Sequence, residues 1–273
     1  MTASSAAYPV RTLREHVNSL EAAITVCLAD PKPRAIHRLR TTTRRIEGQF
    51  ALLATVPDVP KHDRLANKTR RDLKKIRRAA GNVRDLDVQV DLIESVRSKS
   101  RNRTLKDDAA KLSARMESVR EDNAKQLQKL LQRYGGDLAK RLGKLMNTLE
   151  PVASRALSQT ELAALAREWF RKNTPAEPSD GHDDPDYLHT VRKKAKLARY
   201  IAENAPKSAL SARRLAQGFE NLQQAGGEWH DWLILAAVAD DELGGPSPLA
   251  KAFTRRCHLA LRAYKRRLNS GIA

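Results

Sequence analysis

Two short basic segments of the chain place a histidine and a row of cations at helical spacing. The first is His37-x-x-Arg40-x-x-x-Arg44-Arg45, and the second begins 152 residues later as His189-x-x-Arg192-Lys193-x-x-Lys196-x-x-Arg199. Arginine presents a planar fork to phosphate oxygens, lysine presents a point charge, and histidine becomes cationic when a phosphate raises its pKa. Because neighbouring cations repel one another, each segment predicts a site for an anion with several spaced charges, and phosphate fits this description.

The phase of these cations indicates where they lie. In each segment the basic row follows an apolar row by one position, which is about 100° around a helix. The apolar rows are Ile36, Leu39, Thr43, Ile46, Phe50 and Leu53 in the first segment, and Leu188, Val191, Ala195, Ala198 and Ala202 in the second. Charge that is only solvated would be expected opposite the core, whereas these rows border it. The phase therefore predicts a basic groove between helices.

A third segment extends this pattern. Arg70, Lys74, Arg77 and Arg84 lie beside an apolar row that includes Leu73 and Ile76, and Lys75 and Arg78 widen the strip. The sequence around Arg84-Asp85-Leu86-Asp87 has a loose counterpart 146 residues later, around His230-Asp231. The chain is therefore predicted to consist of two related halves. The C-terminal segment offers one further row, Arg255, His258, Arg262 and Lys265.

Composition agrees with a polyanionic partner. The chain of 273 residues has 51 Lys and Arg against 32 Asp and Glu, which gives a formal net charge of +19 and a pI near 10.3. Such an excess favours a polyanion or an anionic surface, although a solvated basic surface without a ligand is the simpler alternative. The hydrophobic content of 41% indicates a folded protein, and the aromatic content of 4% argues against an all-β fold.

Periodicity predicts an all-α protein of about ten helices, and no segment gives a clear strand signal. The predicted helices are Val10–Leu28, Arg34–Thr55, Arg64–Ala80, Arg84–Arg101, Leu105–Tyr134, Leu138–Leu149, Gln159–Lys172, Asp186–Glu203, Ser208–Gln224, Glu228–Leu243 and Leu249–Leu268. Glycines at Gly81 and at Gly135-Gly136 are predicted to end helices. We expect a single domain over residues 8–273, with helical bundles over about 8–150 and 155–270 and a surface connection at 173–185.

Catalytic and metal chemistry have little support. No phosphate-binding glycine loop and no zinc or nucleophile motif occurs, and Asp85 is predicted to cap a helix or to orient Arg84. His230 and Asp231 diverge on a helix, and Trp229 and Trp232 are expected to pack between helices. We predict no catalytic residue, no metal ligand and no cofactor.

The cysteines and the hydropathy pattern bear on the compartment. Cys27 and Cys257 are predicted to be reduced and buried, as in a cytosolic protein. No signal peptide and no apolar run long enough to span a bilayer is evident. We therefore expect a cytoplasmic protein without a membrane partner.

At these motifs the chain resembles the CHAD family of histidine-containing α-helical domains that bind inorganic polyphosphate. The resemblance rests on the two basic segments, on Gly81-x-x-Arg84-Asp85-Leu86-Asp87-Val88, and on Leu222-Gln223 followed by Gly227-Glu228 and Asp231. It implies two four-helix bundles related by pseudo-twofold symmetry around a basic central cavity. The polyphosphate ligands it implies are His37, Arg40, Arg44, Arg45, Lys74, Arg77, His189, Arg192, Lys193, Lys196 and Arg199. The family's triphosphatase-like domain has no counterpart here, so the resemblance implies no enzyme.

Two departures weaken the expected second half of the site. Leu197 stands where the first segment has Arg45, and Glu220-Asn221 precedes Leu222-Gln223 where family members tend to carry Lys or Arg. The function expected is binding of inorganic polyphosphate, with recruitment to polyphosphate granules as a further implication. Two alternatives stay open. One is a nucleic-acid-binding helical protein, which is less favoured because no helix-turn-helix, basic zipper or base-stacking platform is recognisable. The other is an adaptor for acidic proteins, which would bind its protein partner even in competition with polyphosphate.

Overall fold

Helices make up almost all of the structure, a computed structural model that describes residues 6–178, 184–206, 208–244 and 246–271. The helices are α1 (Pro9–Ala29), α2 (Pro33–Leu53), α3 (Asp63–Arg97), α4 (Arg103–Leu149), α5 (Gln159–Asn173), α6 (Pro185–Ala202), α7 (Leu210–Leu243) and α8 (Pro248–Asn269). Two strands of two residues, β1 (Ala6–Ala7) and β2 (Leu157–Ser158), pair in antiparallel fashion. The prediction of an all-α fold is confirmed, and of the predicted connection at 173–185, residues 179–183 lie outside the described residues.

Local sequence explains where the helices begin. A proline occupies the first turn of α1, α2, α6 and α8, where its fixed backbone angle and its missing N–H cost least. Helix α5 begins with a capping box, in which the Ser158 hydroxyl accepts from the Glu161 N–H at 3.2 Å and Glu161 Oε2 accepts from the Ser158 N–H at 2.7 Å. The predicted starts lie within two residues of these positions.

The predicted helix breaks at glycines are wrong. Helix α3 runs through Gly81, α4 through Gly135-Gly136, and α7 through the predicted gap between Gln224 and Glu228. The described residues therefore form eight α-helices where about ten were expected. A glycine inside a helix costs only about 1 kcal/mol relative to alanine, and tertiary packing can offset this. At Gly226 the packing is visible, because an added Cβ would lie 2.7 Å from the ring of buried Tyr264.

The apolar core consists of two clusters, and α3 and α4 contribute to both. One cluster joins α1 and α2 to Leu73 and Ile76 of α3 and to the later part of α4. The other joins α5 to α8 to Ile93 and Val96 of α3 and to the first part of α4, including Leu105. The long helices thus connect the N-terminal bundle to the C-terminal bundle, and the core is not divided at the chain midpoint.

A close crossing of α2 and α6 brings the two basic segments together. A Cβ on Gly48 would lie 2.7 Å from Tyr200 Cβ, so only glycine permits this approach. Beside it, the buried Gln49 amide donates to Asn204 Oδ1, and Asn204 Nδ2 donates to the Tyr200 carbonyl oxygen at 2.9 Å. All members of the two predicted apolar rows are buried, which confirms the predicted phase of both helices.

The predicted burial of the cysteines and of two tryptophans is confirmed. Cys27 and Cys257 are free and buried, and Trp229 and Trp232 pack in the core, as predicted. In the described ranges, none of the helices combines the length and the low polarity that a membrane span requires.

The α2–α6 crossing generates a stability prediction. We expect Gly48→Ala to destabilise the protein by about 1–3 kcal/mol, because the methyl group would force α2 away from Tyr200 Cβ on α6. Gly143→Ala is the matched control, since nothing lies within 4 Å of that position in α4, and it should stabilise by about 0.5–1 kcal/mol. Urea denaturation measures both changes, and equal effects of the two substitutions would contradict the close crossing.

Candidate functional site: a basic cavity between α2, α3, α6 and α7

Helices α2 and α6, which carry the two basic segments, enclose a cavity of about 280 Å³ together with α3 and α7. Six Lys or Arg residues line it against two Asp residues. Its lining residues are His37, Arg40, Thr41 and Arg44 of α2; Arg84, Asp85 and Val88 of α3; Arg192, Lys193, Lys196 and Tyr200 of α6; and Gln223, Gly227, His230 and Asp231 of α7. Both halves of the chain therefore contribute cations to one site.

Glycines on α3 and α7 lie beside the arginines of α2 and α6. An added Cβ on Gly81 would lie 3.8 Å from Arg40 Nε, and one on Gly227 would lie 3.9 Å from Arg192 Nη1. Gly81 belongs to the first half and Gly227 to the second, and each is followed four residues later by an aspartate that lines the cavity. A Cβ at either position would make ordinary van der Waals contact with the arginine, so the close approach does not itself require glycine there.

The cavity cations are only partly paired with carboxylates. Arg44 Nη1 lies 4.0 Å from Glu47 Oε2, and Arg84 Nη1 lies 4.0 Å from Asp87 Oδ2. Arg40 Nη1 donates to Asp85 Oδ1 at 3.1 Å, while the Nε atoms of Arg40 and Arg44 are buried and have no hydrogen-bond partner among the described residues. Within the part of the chain that the structure describes, no carboxylate oxygen lies within 4.0 Å of Lys196 Nζ. Buried donors without acceptors are costly, so these groups favour an anionic acceptor in the cavity.

Mutual repulsion is visible in the protonation of the cations. Burial lowers the pKa of Lys196 to about 7, and the charges of Arg44, Arg40, Arg192 and Arg199 act in the same direction. Burial, with repulsion from Arg77, also lowers the pKa of Arg44 to about 10. The cavity thus carries positive charge that the protein itself compensates only in part.

His37 and His230 line the cavity and are held neutral. Burial lowers the pKa of His37, and the cations Arg84 and Lys196 lower it further. Burial, then Arg192, lowers the pKa of His230 to about 4. The ring of His189 contacts that of His230, with centroids 4.7 Å apart, and does not line the cavity itself. Neutral imidazoles can donate one hydrogen bond each to an anion oxygen.

Seven residues of the predicted site line the cavity, and seven lie outside it. Those in the cavity are His37, Arg40, Arg44, Arg84, Arg192, Lys193 and Lys196. Those outside are Arg45, Lys74, Lys75, Arg77, Arg78, His189 and Arg199. Lys74 and Arg78 are exposed on α3, and Lys75 Nζ lies 4.5 Å from the Tyr134 ring centroid and 3.7 Å from Asp72 Oδ1.

Two of the outer arginines are neutralised within the protein. Arg77 Nη1 donates to Glu47 Oε2 at 2.7 Å. Arg199 Nη1 lies 3.0 Å from Glu220 Oε1, and its Nε donates to Glu203. Glu220 is one of the two departures from the family pattern, and this pair is consistent with a weaker contribution from the second half.

The sequence alone did not identify all of the lining residues. Asp85 lies inside α3 and pairs with Arg40, so the prediction that it caps a helix is wrong. His230 and Asp231 both reach the cavity although they are neighbours on α7. Thr41, whose Oγ1 lies 3.4 Å from His37 Nε2, could have been found because it follows that histidine by four residues on α2. The described residues contain no group of three or more His, Cys, Asp or Glu side chains placed to hold a metal.

Comparisons with known proteins place this architecture in a known class of all-helical domains. The chain matches the CHAD domain over residues 11–240. A solved structure described as PptA from Streptomyces chartreusis has a TM-score of 0.65 and 15% identity, with 96% of this chain and 98% of that chain covered. The crystal structure of the CHAD domain from the plant Ricinus communis has a TM-score of 0.65 and 18% identity, with 99% and 95% covered. No protein of curated function matches the chain.

The family match covers most of the chain, so this protein belongs to the CHAD domain family. The structural similarity supports the same all-α fold. The predicted family and fold class are therefore confirmed, while the pseudo-twofold relation of the bundles and the assignment of individual ligands stay predictions.

The repulsion at Lys196 predicts a gain in stability when its charge is removed. Because the folded pKa of Lys196 is about 7 and its ordinary value is 10.5, the unfolded chain binds more protons between these values. The cost of the charged lysine is therefore fully present below pH 7 and declines as pH rises from 7 towards 10.5. We expect Lys196→Met to stabilise the ligand-free protein at pH 6 by about 1–4 kcal/mol, with a smaller gain at pH 9.

Thermal and urea denaturation at both pH values measure this effect. Lys111→Met, at an exposed position of α4, is the control and should change stability by less than about 0.5 kcal/mol at either pH. A loss of stability in Lys196→Met at pH 6 would show that the lysine is compensated within the folded protein.

Proposed function

We propose that this protein binds inorganic polyphosphate in the basic cavity without hydrolysing it. The observation that carries the proposal is the convergence of buried, incompletely paired cations from both halves on one cavity. Family membership supports the choice of polyphosphate, since CHAD domains are known for association with this polymer. A linear chain of phosphates supplies many acceptor oxygens and closely spaced negative charges, which are what the unpaired guanidinium and ammonium groups lack.

The size of the cavity favours a slender anion. Its volume of about 280 Å³ lies below the range of about 300–1,000 Å³ that is usual for small-molecule pockets. A few phosphate groups of a single chain fit such a space, whereas a nucleic-acid duplex could meet only its rim. Trp229 and Trp232 are buried, so neither presents a face on which bases could stack. Polyphosphate is therefore favoured over nucleic acid.

We propose specific roles for the lining residues. Arg40, Arg44 and Arg192 donate to bridging and terminal phosphate oxygens, and Lys193 and Lys196 neutralise charge. The carboxylates of Asp85 and Asp231 orient the arginines, as the 3.1 Å contact of Asp85 with Arg40 suggests.

We further propose that the protein acts in the cytoplasm, where binding recruits it to polyphosphate granules.

Charge reversal in the cavity tests the proposed function. We expect Arg44→Glu combined with Lys196→Glu to weaken polyphosphate binding by about 100-fold or more, because two charge-assisted contacts are replaced by repulsion. Calorimetric titration in about 150 mM salt is the measurement, since screening then suppresses loose attraction. Arg101→Glu combined with Arg103→Glu, at exposed positions, changes the net charge equally and should preserve binding.

Equal loss in both double variants would leave only a general electrostatic field and contradict a specific site. Tighter binding of single- or double-stranded nucleic acid than of polyphosphate, at matched phosphate concentration, would favour the nucleic-acid alternative. Release of phosphate from the polymer in the presence of Mg²⁺ would contradict a purely binding function.

Binding should also be coupled to proton uptake. The pKa of Lys196 is about 7 in the free protein, and a bound polyanion should raise it. At pH 8 the free lysine is mostly neutral, so binding should take up nearly one proton there and fewer at pH 6, and affinity should fall as pH rises above 7. Calorimetry at pH 8 in two buffers of different ionisation enthalpy measures this uptake. In Lys196→Met the dependence on buffer should decline, and an unchanged dependence would assign the proton to another group.

A further inference from the structure

Helix α8 carries a second concentration of positive charge. It contains seven Lys or Arg residues and no Asp or Glu in 22 residues. One side, which includes Phe253, Cys257 and Tyr264, is buried in the core. The opposite side is exposed and carries a row of cations and one histidine, which we call the α8 row: Lys251, Arg255, His258, Arg262 and Arg266. No residue of α8 is among those that line the cavity, so the α8 row is a separate surface.

The α8 row lacks the counter-ions found on other exposed helix faces. On α4, Lys125 Nζ lies 3.5 Å from Asp122 Oδ1, and Arg115 Nε lies 2.6 Å from Glu242 Oε1. Across the described ranges, no carboxylate oxygen lies within 4.0 Å of the side-chain nitrogens of Lys251, Arg255, Arg262 or Arg266. Solvated surfaces ordinarily mix both signs of charge. The α8 row has one carboxylate nearby, that of Asp240 on α7, which lines a shallow groove with Lys251, Arg255 and His258 without an ion pair to either cation.

Because of the spacing of the α8 row, its unpaired cations repel one another and destabilise the helix. Lys251 and Arg255, and likewise Arg262 and Arg266, are four residues apart on one helix face. Each such like-charge pair on one helix face is destabilising. The helix dipole favours only the cations in the last turn. An external anion that follows the helix would offset the repulsion along the whole row, which extends for about 22 Å.

We propose that the α8 row is a second polyphosphate-binding surface, which takes a different segment of polymer from the one in the cavity. The protein then bridges two polyphosphate segments. This inference rests on the proposed function of the cavity. Because the row is open and hydrated, its contacts are weaker and more sensitive to salt than those of the cavity. Once the cavity holds one segment, the high local concentration of polymer makes the second contact effective.

Inorganic polyphosphate is favoured over nucleic acid as the occupant. Phe253 and Tyr264 of α8 are fully buried, so the exposed face offers no aromatic ring for base stacking. The only exposed large apolar side chain of α8 among the described residues is Leu259. The α8 row can therefore recognise repeated negative charge, which is what polyphosphate presents at the highest density.

Light scattering with long-chain polyphosphate tests the bridging. We expect the wild-type protein to form large assemblies at intermediate polymer ratios, which dissolve in excess polymer. The fourfold variant Lys251→Glu, Arg255→Glu, Arg262→Glu and Arg266→Glu should lose most of this scattering. Its affinity for short-chain polyphosphate, which fills only the cavity, should stay within about threefold in 150 mM salt, where charges beyond about 8 Å are screened.

A matched variant separates the α8 row from net charge. Reversal of the exposed α4 lysines, Lys106→Glu, Lys111→Glu, Lys129→Glu and Lys140→Glu, changes the formal charge by the same amount and should preserve the scattering. Equal loss in both fourfold variants would overturn the α8 row as a specific surface. Retained scattering in the α8 variant, together with lost binding of duplex DNA, would overturn polyphosphate as its occupant in favour of nucleic acid.

The failure of the cavity has a different signature. If short-chain polyphosphate does not bind the wild-type protein while scattering still depends on the α8 row, the proposed function of the cavity and the bridging are both refuted. If short chains bind in the cavity and the α8 variant scatters like the wild type, only the inference about the α8 row is refuted.

Discussion

The repulsion between cations that the fold holds together at the α2–α6 crossing is the constraint on which the rest of the structure depends. Burial lowers the pKa of Lys196 most, and the charges of Arg44, Arg40 and Arg192 lower it further. Repulsion of this kind would separate the two halves if nothing else held them. The crossing at Gly48 and Tyr200, the buried Gln49–Asn204 hydrogen bond and the long helices α3 and α4 all oppose that separation. Apolar burial thus supplies the free energy that keeps an electrostatically unfavourable site assembled.

Carboxylates divide the basic residues into two groups. Glu47 neutralises Arg77, and Glu203 and Glu220 neutralise Arg199, all at positions outside the cavity lining. Inside, only Asp85 and Asp231 accompany six Lys or Arg residues. Positive charge is therefore compensated at the margin and left available in the centre. The same distinction separates α8 from α4, because α4 mixes acids with its cations and α8 contains none.

Much of this arrangement could be predicted from the sequence, since burial and helical phase are local properties. The apolar rows that begin at Ile36 and Leu188 fixed which cations border the core, and the structure places Arg40, Arg44, Arg192 and Lys196 in the cavity accordingly. On α3 the same argument included too many residues, because helical phase does not show which turns of a helix face the neighbouring helices. Lys74 and Arg78 share a strip with Arg84, but only Arg84 lines the cavity. The helix break near Gly226 was mispredicted because a local glycine signal cannot show that the Tyr264 ring fills the space beside that glycine.

The ligand proposed for the cavity would supply the acceptors and the negative charge that the cavity lacks by itself. Without an anion, Lys196 is on the border between its neutral and charged forms near pH 7, and the Nε atoms of Arg40 and Arg44 have no acceptor among the described residues. A bound polyanion would relieve both the repulsion at Lys196 and the lack of acceptors for the two arginines, and this gain in free energy would contribute to the affinity. Because the donors are fixed by packed helices instead of loops, little side-chain entropy is lost on binding. An isolated phosphate could satisfy only part of the cavity, whereas a chain of phosphates satisfies cations from both halves, and this is the physical basis for preferring a polymer.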